Sequence, residues 1–243
     1  MRKDNFHVTI VIPVFHEEAV IQSTIEQIEK TVKTKHRFLV VAENERDSTI
    51  AVILKMPSEL TQNLTLIKNK YKPGIPGSMK TAFEAVKTET VVVIAADLTD
   101  DPHYVDAMYE KIRSGYDIVS ASRYSGGGTY LAKRDAKYYL SKWANWLSPT
   151  LLSISTSDLT YAYKMYRTEV VQTIPIEATG GFEYAMELTI KAARRGMKIG
   201  EIPARSVERQ VGESKFRLWK WSRQYLRWFL WGMYLRLRNL WRG

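Results

Sequence analysis

The sequence contains no cysteine among its 243 residues. Disulfides, thiolate zinc sites and thiol catalysis are therefore excluded, while the redox compartment stays open. Acidic residues are also scarce: 26 Asp and Glu stand against 36 Lys and Arg, and the net charge of +10 implies an anionic partner. Nucleic acid, phosphorylated small molecules and an acidic membrane surface all meet that requirement, and charge alone does not choose among them. Long apolar runs are missing too. The stretch WFLWGMYL near the C-terminus has eight residues, where roughly 20 are needed to span a bilayer. The basic start, MRKDNFHVTIVIPVF, ends in HEE with no small-residue cleavage site, so no signal peptide is expected and the chain reads as soluble or peripheral. Internal repeats, low-complexity linkers, the P-loop, the dinucleotide fingerprint and recognised nucleic-acid-binding motifs are all absent.

What is present is alternation. Residues 7–15 read as a buried strand, and 17–34 as an amphipathic helix with Val20, Ile21, Ile25, Ile28 and Val32 on one side. Residues 37–43 read as a second strand, and DSTIAVILKM as a short helix opened by an Asp-Ser cap. A third strand, LTLIKN, is followed by a Gly-rich turn into a helix beginning near Ser78, and then by a fourth strand, TVVVIAAD. A helix to about Ser114, a strand DIVSASRY, the turn SGGG and a helix rich in Lys, Tyr and Trp come next. DLTYAYKMYRTEVV predicts a strand and a helix, GGFEYAMELTIKAARRG a helix, and KIGEIPARSVERQVGESKF a strand entering a polar loop. Such alternation predicts an α/β fold with a mostly parallel central sheet flanked by helices. Ligands of such sheets bind at the carboxyl ends of strands. Glu17, Glu43, the turn from Gly74 to Lys80 and Asp97 all fall there and are expected to line one crevice.

Three stretches carry chemistry. In VVVIAADLTDDP a buried strand ends in Asp97, with Asp100 and Asp101 close behind. Their mutual repulsion would be relieved by a divalent cation, which takes oxygen ligands and is commonly shared with substrate phosphates. The plainer reading of Asp100 and Asp101 is that they cap the next helix ahead of Pro102. In KPGIPGSMKTAFEAV, glycines 74 and 77 allow close approach of backbone to a ligand at a helix N-terminus, or form an ordinary turn. In RQVGESKF, Arg209 and Lys215 flank a turn able to fold two cations over an anion, or simply form a solvated basic loop.

In order along the chain, VIPVFHEE, RDST, GIPGSMKTAFEA, the aspartate-ended fourth strand, DIVSASRYSGGG, SKWANWL, DLTYAYKMYR, GGFEYAMELTIKAARRGMKIGEIP and ERQVGESK resemble the family 2 inverting glycosyltransferases of the GT-A fold. Within that family they resemble the dolichol- or polyprenyl-phosphate sugar transferase branch. The resemblance covers about Val8 to Lys215. It implies a catalytic domain over 1–215, with 216–243 a basic, Trp-rich amphipathic helix. It further implies donor contacts from Pro13, Phe15, Glu17, Glu43, Gly77, Lys80, Ala96 and Asp97, and Mg2+ or Mn2+ on Asp97. Arg123, Arg209 and Lys215 would act on the reacting phosphates, and Arg123, Lys137, Ser141 and Ser214 would grip the acceptor phosphate.

Four positions depart from the family pattern. Ala95 stands where the family has the first Asp of its Asp-x-Asp, so Thr99, Asp100 or Asp101 would have to complete the metal shell. Ala42 and Glu43 stand where two acids usually help to read the base, which leaves guanine and uracil both open as the donor base. His16 replaces the usual Asn, and Lys137 the usual Arg.

A lipid-phosphate acceptor is already anionic near neutral pH and needs no general base, only cations. A hydroxyl acceptor would need one, and Asp158 and Glu187 are the candidates. The expected partners are a GDP- or UDP-linked sugar, a polyprenyl phosphate and an anionic membrane surface on its cytoplasmic face, with no nucleic acid and with oligomerisation left open. The rival readings are a transferase acting on a glycan or glycolipid hydroxyl and a binding protein that lost its chemistry with Ala95. On a helical wheel of the C-terminal segment, Lys220, Arg223, Arg227, Arg238 and Arg242 share one arc. Leu218, Tyr225, Phe229, Met233 and Leu240 lie opposite, with Arg236 among them. That pattern suits a helix lying in lipid headgroups, or one packed on its own domain or on a second subunit.

Overall fold

The structure is a computed structural model that describes residues 6–97, 99–131, 136–207 and 218–240. Its first half runs β1 (Val8–Val14), α1 (Ile21–Thr31), β2 (His36–Ala42), α2 (Ser48–Ile53), α3 (Ser58–Thr61), β3 (Leu64–Lys68), α4 (Ile75–Ala85) and β4 (Thr90–Val93). A 3-10 turn at Pro102–Tyr104 leads to α5 (Val105–Arg113), β5 (Ile118–Ser122), β6 (Thr129–Leu131) and α6 (Ala136–Leu152). Then follow β7 (Lys164–Arg167), α7 (Thr168–Thr173), α8 (Glu183–Arg194), β8 (Ile199–Pro203), β9 (Arg205–Val207) and α9 (Leu218–Leu240).

Among the described residues, seven strands form one sheet in the order β3-β2-β1-β4-β7-β5-β8, and β6 pairs with β9 apart from it. β1 pairs in parallel with β2 and β4, with Val11 opposite Leu39 and Val93, while β7 runs antiparallel between β4 and β5. The sheet is therefore mostly parallel, as expected. α4 starts three residues earlier than predicted, because Pro76 sits comfortably in a first helical turn where its missing N–H costs nothing.

The alternation along β1 separates two cores. Val8, Ile10, Ile12 and Val14 pack with Ile21, Ile25 and Ile28 of α1 and with α5, whereas Val11 joins Val91, Val93, Met79, Phe83, Tyr184 and Leu188 on the opposite face. α9 closes this second core. Trp228 is buried in it, and Tyr225, Phe229 and Met233 pack against it. Burying one tryptophan contributes on the order of 4 kcal/mol. Gly232 marks the tightest approach, since a Cβ there would stand 3.1 Å from both Ile190 and Leu152. Three of the five residues opposite the basic arc, Tyr225, Phe229 and Met233, thus face the protein, the alternative in which the helix packs on its own domain; Leu218 and Leu240 have side chains outside the described residues. Arg236, out of place on that side by the wheel, donates from Nη1 to the Thr150 carbonyl, and Arg194 donates to the Leu152 carbonyl. The two guanidiniums satisfy the open C-terminal turn of α6, where a cation is favoured. Among the described residues no helix is long and apolar enough to cross a membrane.

Candidate functional site

In the order β3-β2-β1-β4, the chain winds outward from β1 in one direction and resumes at β4 in the other, so the crevice lies beyond the carboxyl ends of β1 and β4. Its walls are tied together by side chains. Past β1 the backbone turns at His16, whose φ of 57° is left-handed. Asn and His tolerate that conformation better than most residues, which gives a physical reason for the family's Asn at this position. The His16 N–H donates to Asp47 Oδ1 at 3.1 Å and the Glu17 N–H to Thr49 Oγ1 at 3.0 Å, fastening the loop after β1 to the start of α2. Asp47 caps that helix, and hydrogen bonds from Thr49 and His16 hold its carboxyl below the usual range although burial pushes it up. Phe15 is exposed at the rim and touches the His16 ring.

Glu43, just past β2, accepts the Gly74 N–H at 2.6 Å and hydrogen bonds from Asn69 and Ser78 at 3.3 Å. It therefore supplies the negative group at the start of α4, a position that suits an anion. Gly74 has a φ of 114°, and a Cβ on Gly77 would come within 2.1 Å of the Lys72 carbonyl, so both glycines are needed to bring this turn close. Lys80 lies over the Tyr71 ring at 5.8 Å.

At the tip of β4 the three acids separate. Ala96 is buried, and its carbonyl accepts from Thr24 Oγ1 of α1 at 2.7 Å. Asp97 is half-buried and accepts from Thr99 Oγ1 at 2.7 Å and from the Thr99 N–H at 3.2 Å. Asp100 is buried and turns inward, accepting the Ala95 N–H at 2.8 Å and the Tyr161 hydroxyl at 2.6 Å. Burial pushes its carboxyl up to about 6 against those two hydrogen bonds. Asp101 caps the 3-10 turn through the His103 N–H and binds the His103 ring. Only Asp101 is thus a cap; Asp100 stitches the strand tip to the segment entering β7. Among the described residues no three His, Asp or Glu side chains converge on a metal-sized site. A single half-buried carboxylate still fits Mg2+ or Mn2+, since such ions keep several waters and take their remaining ligands from substrate phosphates.

Beside the acids lies an ion pair that the sequence does not announce. Arg123, at the end of β5, forks onto Asp158 at 2.7 and 2.9 Å, and both are buried. Asp158 outweighs the effect of burial and holds the guanidinium protonated far above neutral pH. Three rings, Tyr124, Tyr130 and Tyr161, flank the guanidinium at 4.4 to 5.3 Å. Ser141 and Asn145, on the inner side of α6, complete the cluster: Ser141 accepts from Tyr124, and Asn145 donates to Asp158 and Thr160. The sequence reading missed Tyr124, Tyr130, Tyr161 and Asn145. The density of polar and aromatic residues in SKWANWL and DLTYAYK is the signal that could have found them. Glu187 is equally enclosed, accepting from Lys191 and from the Glu177 and Ala178 N–H groups.

Below this cluster Lys164 is fully buried, donating to Ser120 at 2.8 Å and to the Asp158 carbonyl at 2.9 Å. Burial pulls its ammonium down to about 8, Asp158 opposing. Between about 8 and the ordinary lysine value the unfolded chain binds more protons than the folded one, so the native protein gains stability as pH rises through that window. The stability deficit of Lys164→Met relative to wild type is therefore expected to grow by on the order of 3 kcal/mol between pH 7.5 and 10.5. Urea titrations of both proteins across that range check it, and a deficit that is flat or shrinking with pH would show that the Lys164 ammonium is not desolvated in the folded chain.

Arg209, Ser214, Lys215 and the side chain of Lys137 lie outside the described residues. The chain leaves for 208–217 from β9, whose Ser206 bridges Asp100.

Comparison with known proteins gives four findings. Residues 9–174 match the profile of glycosyl transferase family 2. The polyprenol monophosphomannose synthase of Mycolicibacterium smegmatis is 26% identical over 211 residues, 85% of this chain and 79% of that protein. The undecaprenyl-phosphate mannosyltransferase of Micrococcus luteus is 31% identical over 130 residues, about half of each chain (52% and 53%). In structure, the glucosyl-3-phosphoglycerate synthase of Mycobacterium tuberculosis, solved with Mn2+, uridine diphosphate and glucosyl-3-phosphoglycerate, superposes with a TM-score of 0.70 at 17% identity, covering 94% of this chain and 80% of that one. The two chains share a fold, the one expected from the sequence.

Proposed function

The chain belongs to glycosyl transferase family 2 and is a glycosyltransferase, and from that premise we propose that it moves a sugar from a GDP- or UDP-linked donor to a polyprenyl phosphate at the cytoplasmic face of a membrane. The similarity to the two polyprenyl-phosphate mannosyltransferases supports this reading. One structural observation carries the choice of acceptor: both candidate general bases, Asp158 and Glu187, are fully buried and held by cations. A hydroxyl acceptor needs a base that can reach it. A phosphate oxygen needs none.

Asp97 would hold Mg2+ or Mn2+, which when bound neutralises charge on the departing nucleotide diphosphate. The residues of the chain do the rest. The end of β1 and the loop after it, with Pro13, Phe15 and Glu17, and the α4 turn, with Gly77 and Lys80, would wall the donor into the switch-point crevice. The cluster of Arg123 and Ser141 would fix the acceptor side, and Arg209, Ser214 and Lys215 would complete it with positive charge. Attack in line at the anomeric carbon inverts that centre. Detergent-dispersed polyprenyl phosphate, Mn2+ and a panel of labelled GDP- and UDP-sugars provide the test. One donor is expected to yield a lipid-extractable sugar phosphate, and yield should vanish on chelation. Transfer to a glycolipid hydroxyl but not to the phosphate, or no transfer from any donor, would overturn the proposal.

A further inference from the structure

The ladder between β4 and β1 ends where the Ile94 N–H donates to the Val11 carbonyl at 3.0 Å. On its other edge β4 is paired with β7 only as far as Val92, opposite Met165. The Ala95 N–H therefore lies past the last strand partner, where a partly buried amide still needs an acceptor. Asp100 supplies it. Its Oδ2 accepts the Ala95 N–H at 2.8 Å and closes the chain between the two residues into a ring. Asp97 stands within that ring, and so does Thr99, which donates its N–H and its hydroxyl to Asp97 Oδ1.

The ring is anchored from outside. The Tyr161 hydroxyl donates to Asp100 Oδ1 at 2.6 Å and reaches the Thr99 carbonyl at 3.4 Å, while the Tyr163 hydroxyl donates to the Asp101 carbonyl at 2.9 Å. Tyr161 is itself fixed: its N–H donates to Asp158 at 3.2 Å, and its ring lies 4.4 Å from the Arg123 guanidinium. Both oxygens of Asp100 are thus spent, and the residue is only 6% exposed. A metal ligand has to offer an oxygen to the ion. Asp97, half-buried, stands where it can do so, and the Ala95 side chain has no oxygen at all. Binding at a lone carboxylate depends on how much freedom that side chain has left to lose when the ion arrives. Hydrogen bonds behind a ligating carboxylate therefore strengthen the site.

We propose that Asp100 and Tyr161 are positioning residues for Asp97: they hold the tip of β4 as a closed ring that presents its one available carboxylate, already oriented, to the cation of a nucleotide diphosphate. Neither touches the ion. This rests on the reading of Asp97 as the metal's anchor given above, and it accounts for how one acid serves where Ala95 contributes none. Asp100 compensates for that alanine by removing disorder, without adding a ligand.

Calorimetric binding of UDP and of GDP to the full chain, with and without Mn2+, tests this with no acceptor present. The readout is the gain in nucleotide affinity that Mn2+ brings. Asp100→Ala is expected to cut that gain by roughly tenfold or more, and Tyr161→Phe, which keeps the ring on Arg123 and loses only the hydroxyl, by roughly threefold. Asp100→Asn keeps an oxygen for the Ala95 N–H and gains an amide that can donate to the Tyr161 oxygen, so its gain should stay within about twofold of wild type. Affinity without Mn2+ should be unchanged in all three, and melting curves show that each is folded. Because the hydroxyl acts through Asp100, Asp100→Ala/Tyr161→Phe should lose no more than Asp100→Ala alone. An Asp100→Asn variant as impaired as Asp100→Ala would make Asp100 a direct ligand and overturn the proposal. Losses of equal size with and without Mn2+ would overturn it too, as general damage to the crevice. If Asp97→Asn abolishes the gain while Asp100→Ala leaves it intact, or Tyr161→Phe does so where Asp100→Ala fails to fold, the metal reading stands and this proposal falls. A wild-type chain that gains nothing from Mn2+ removes both.

Discussion

Asp97→Asn is expected to lower kcat/KM for sugar transfer by about 10³-fold, the size of effect seen when a single charge-stabilising group is removed from a reacting centre. The substitution is conservative in every other respect. Thr99 donates both its N–H and its hydroxyl to Oδ1 of Asp97, and an asparagine keeps an oxygen there, so the turn beyond β4 should persist. What disappears is the negative charge. No other acid in the stretch is poised to replace it, because Asp100 is committed to Ala95 and Tyr161 and Asp101 to His103. The loss should appear in the chemical step and in metal-dependent donor binding, with the melting temperature of the apoprotein within a few degrees of wild type. Steady-state kinetics over a range of Mn2+ concentrations decides it. Activity within a few-fold of wild type would remove Asp97 from the proposed mechanism.

The second large effect is on stability. Asp158→Ala should cost about 3–5 kcal/mol, because it leaves the buried Arg123 guanidinium without its counter-ion. Asn145 and the Tyr161 N–H lose an acceptor at the same time, which adds to the cost. Replacing both partners by apolar residues of similar size, Arg123→Met with Asp158→Leu, should recover a good part of the loss, since no charge is then stranded. Urea unfolding of the three variants measures this directly. If Asp158 were instead a general base, Asp158→Asn would keep wild-type stability and lose turnover, and that combination would refute a structural role for this carboxylate.

Much of the fold was readable because its signal is local. The alternation of Val8, Ile10, Ile12 and Val14 against Val11, and the spacing of Ile21, Ile25 and Ile28, state strand and helix without reference to anything distant. Asp97 at a strand tip was readable for the same reason. The direction of β7 was not, because pairing partners lie far apart in the chain: Thr90 opposes Arg167 and Ile118 opposes Tyr166. Asp100 and Asp101 are adjacent and chemically identical, yet one is buried and the other faces solvent beside His103; what distinguishes them includes a tyrosine delivered from residue 161 and a bridge to Ser206, both distant in the chain. The Arg123–Asp158 pair spans 35 positions, and neither member carries a local mark of its partner. On α9, with leucines and aromatics all round the helix and Arg236 on its apolar side, the wheel could not say which apolar row the domain would cover.

The reversal of β7 has a consequence for how rigid the crevice is. A parallel strand delivers to the ligand edge only the chain that leaves it, which is free to wander into a loop. A strand inserted the other way delivers the chain on its approach, and in this sheet that approach is moored to its own strand, with the amine of Lys164 holding the carbonyl of Asp158 six residues upstream. Tyr161, between these moorings, is thereby kept against Asp100 before any substrate arrives. The ordering entropy that a mobile loop would surrender on binding has been given up at folding instead, so this wall of the crevice should be as stiff without ligand as with it.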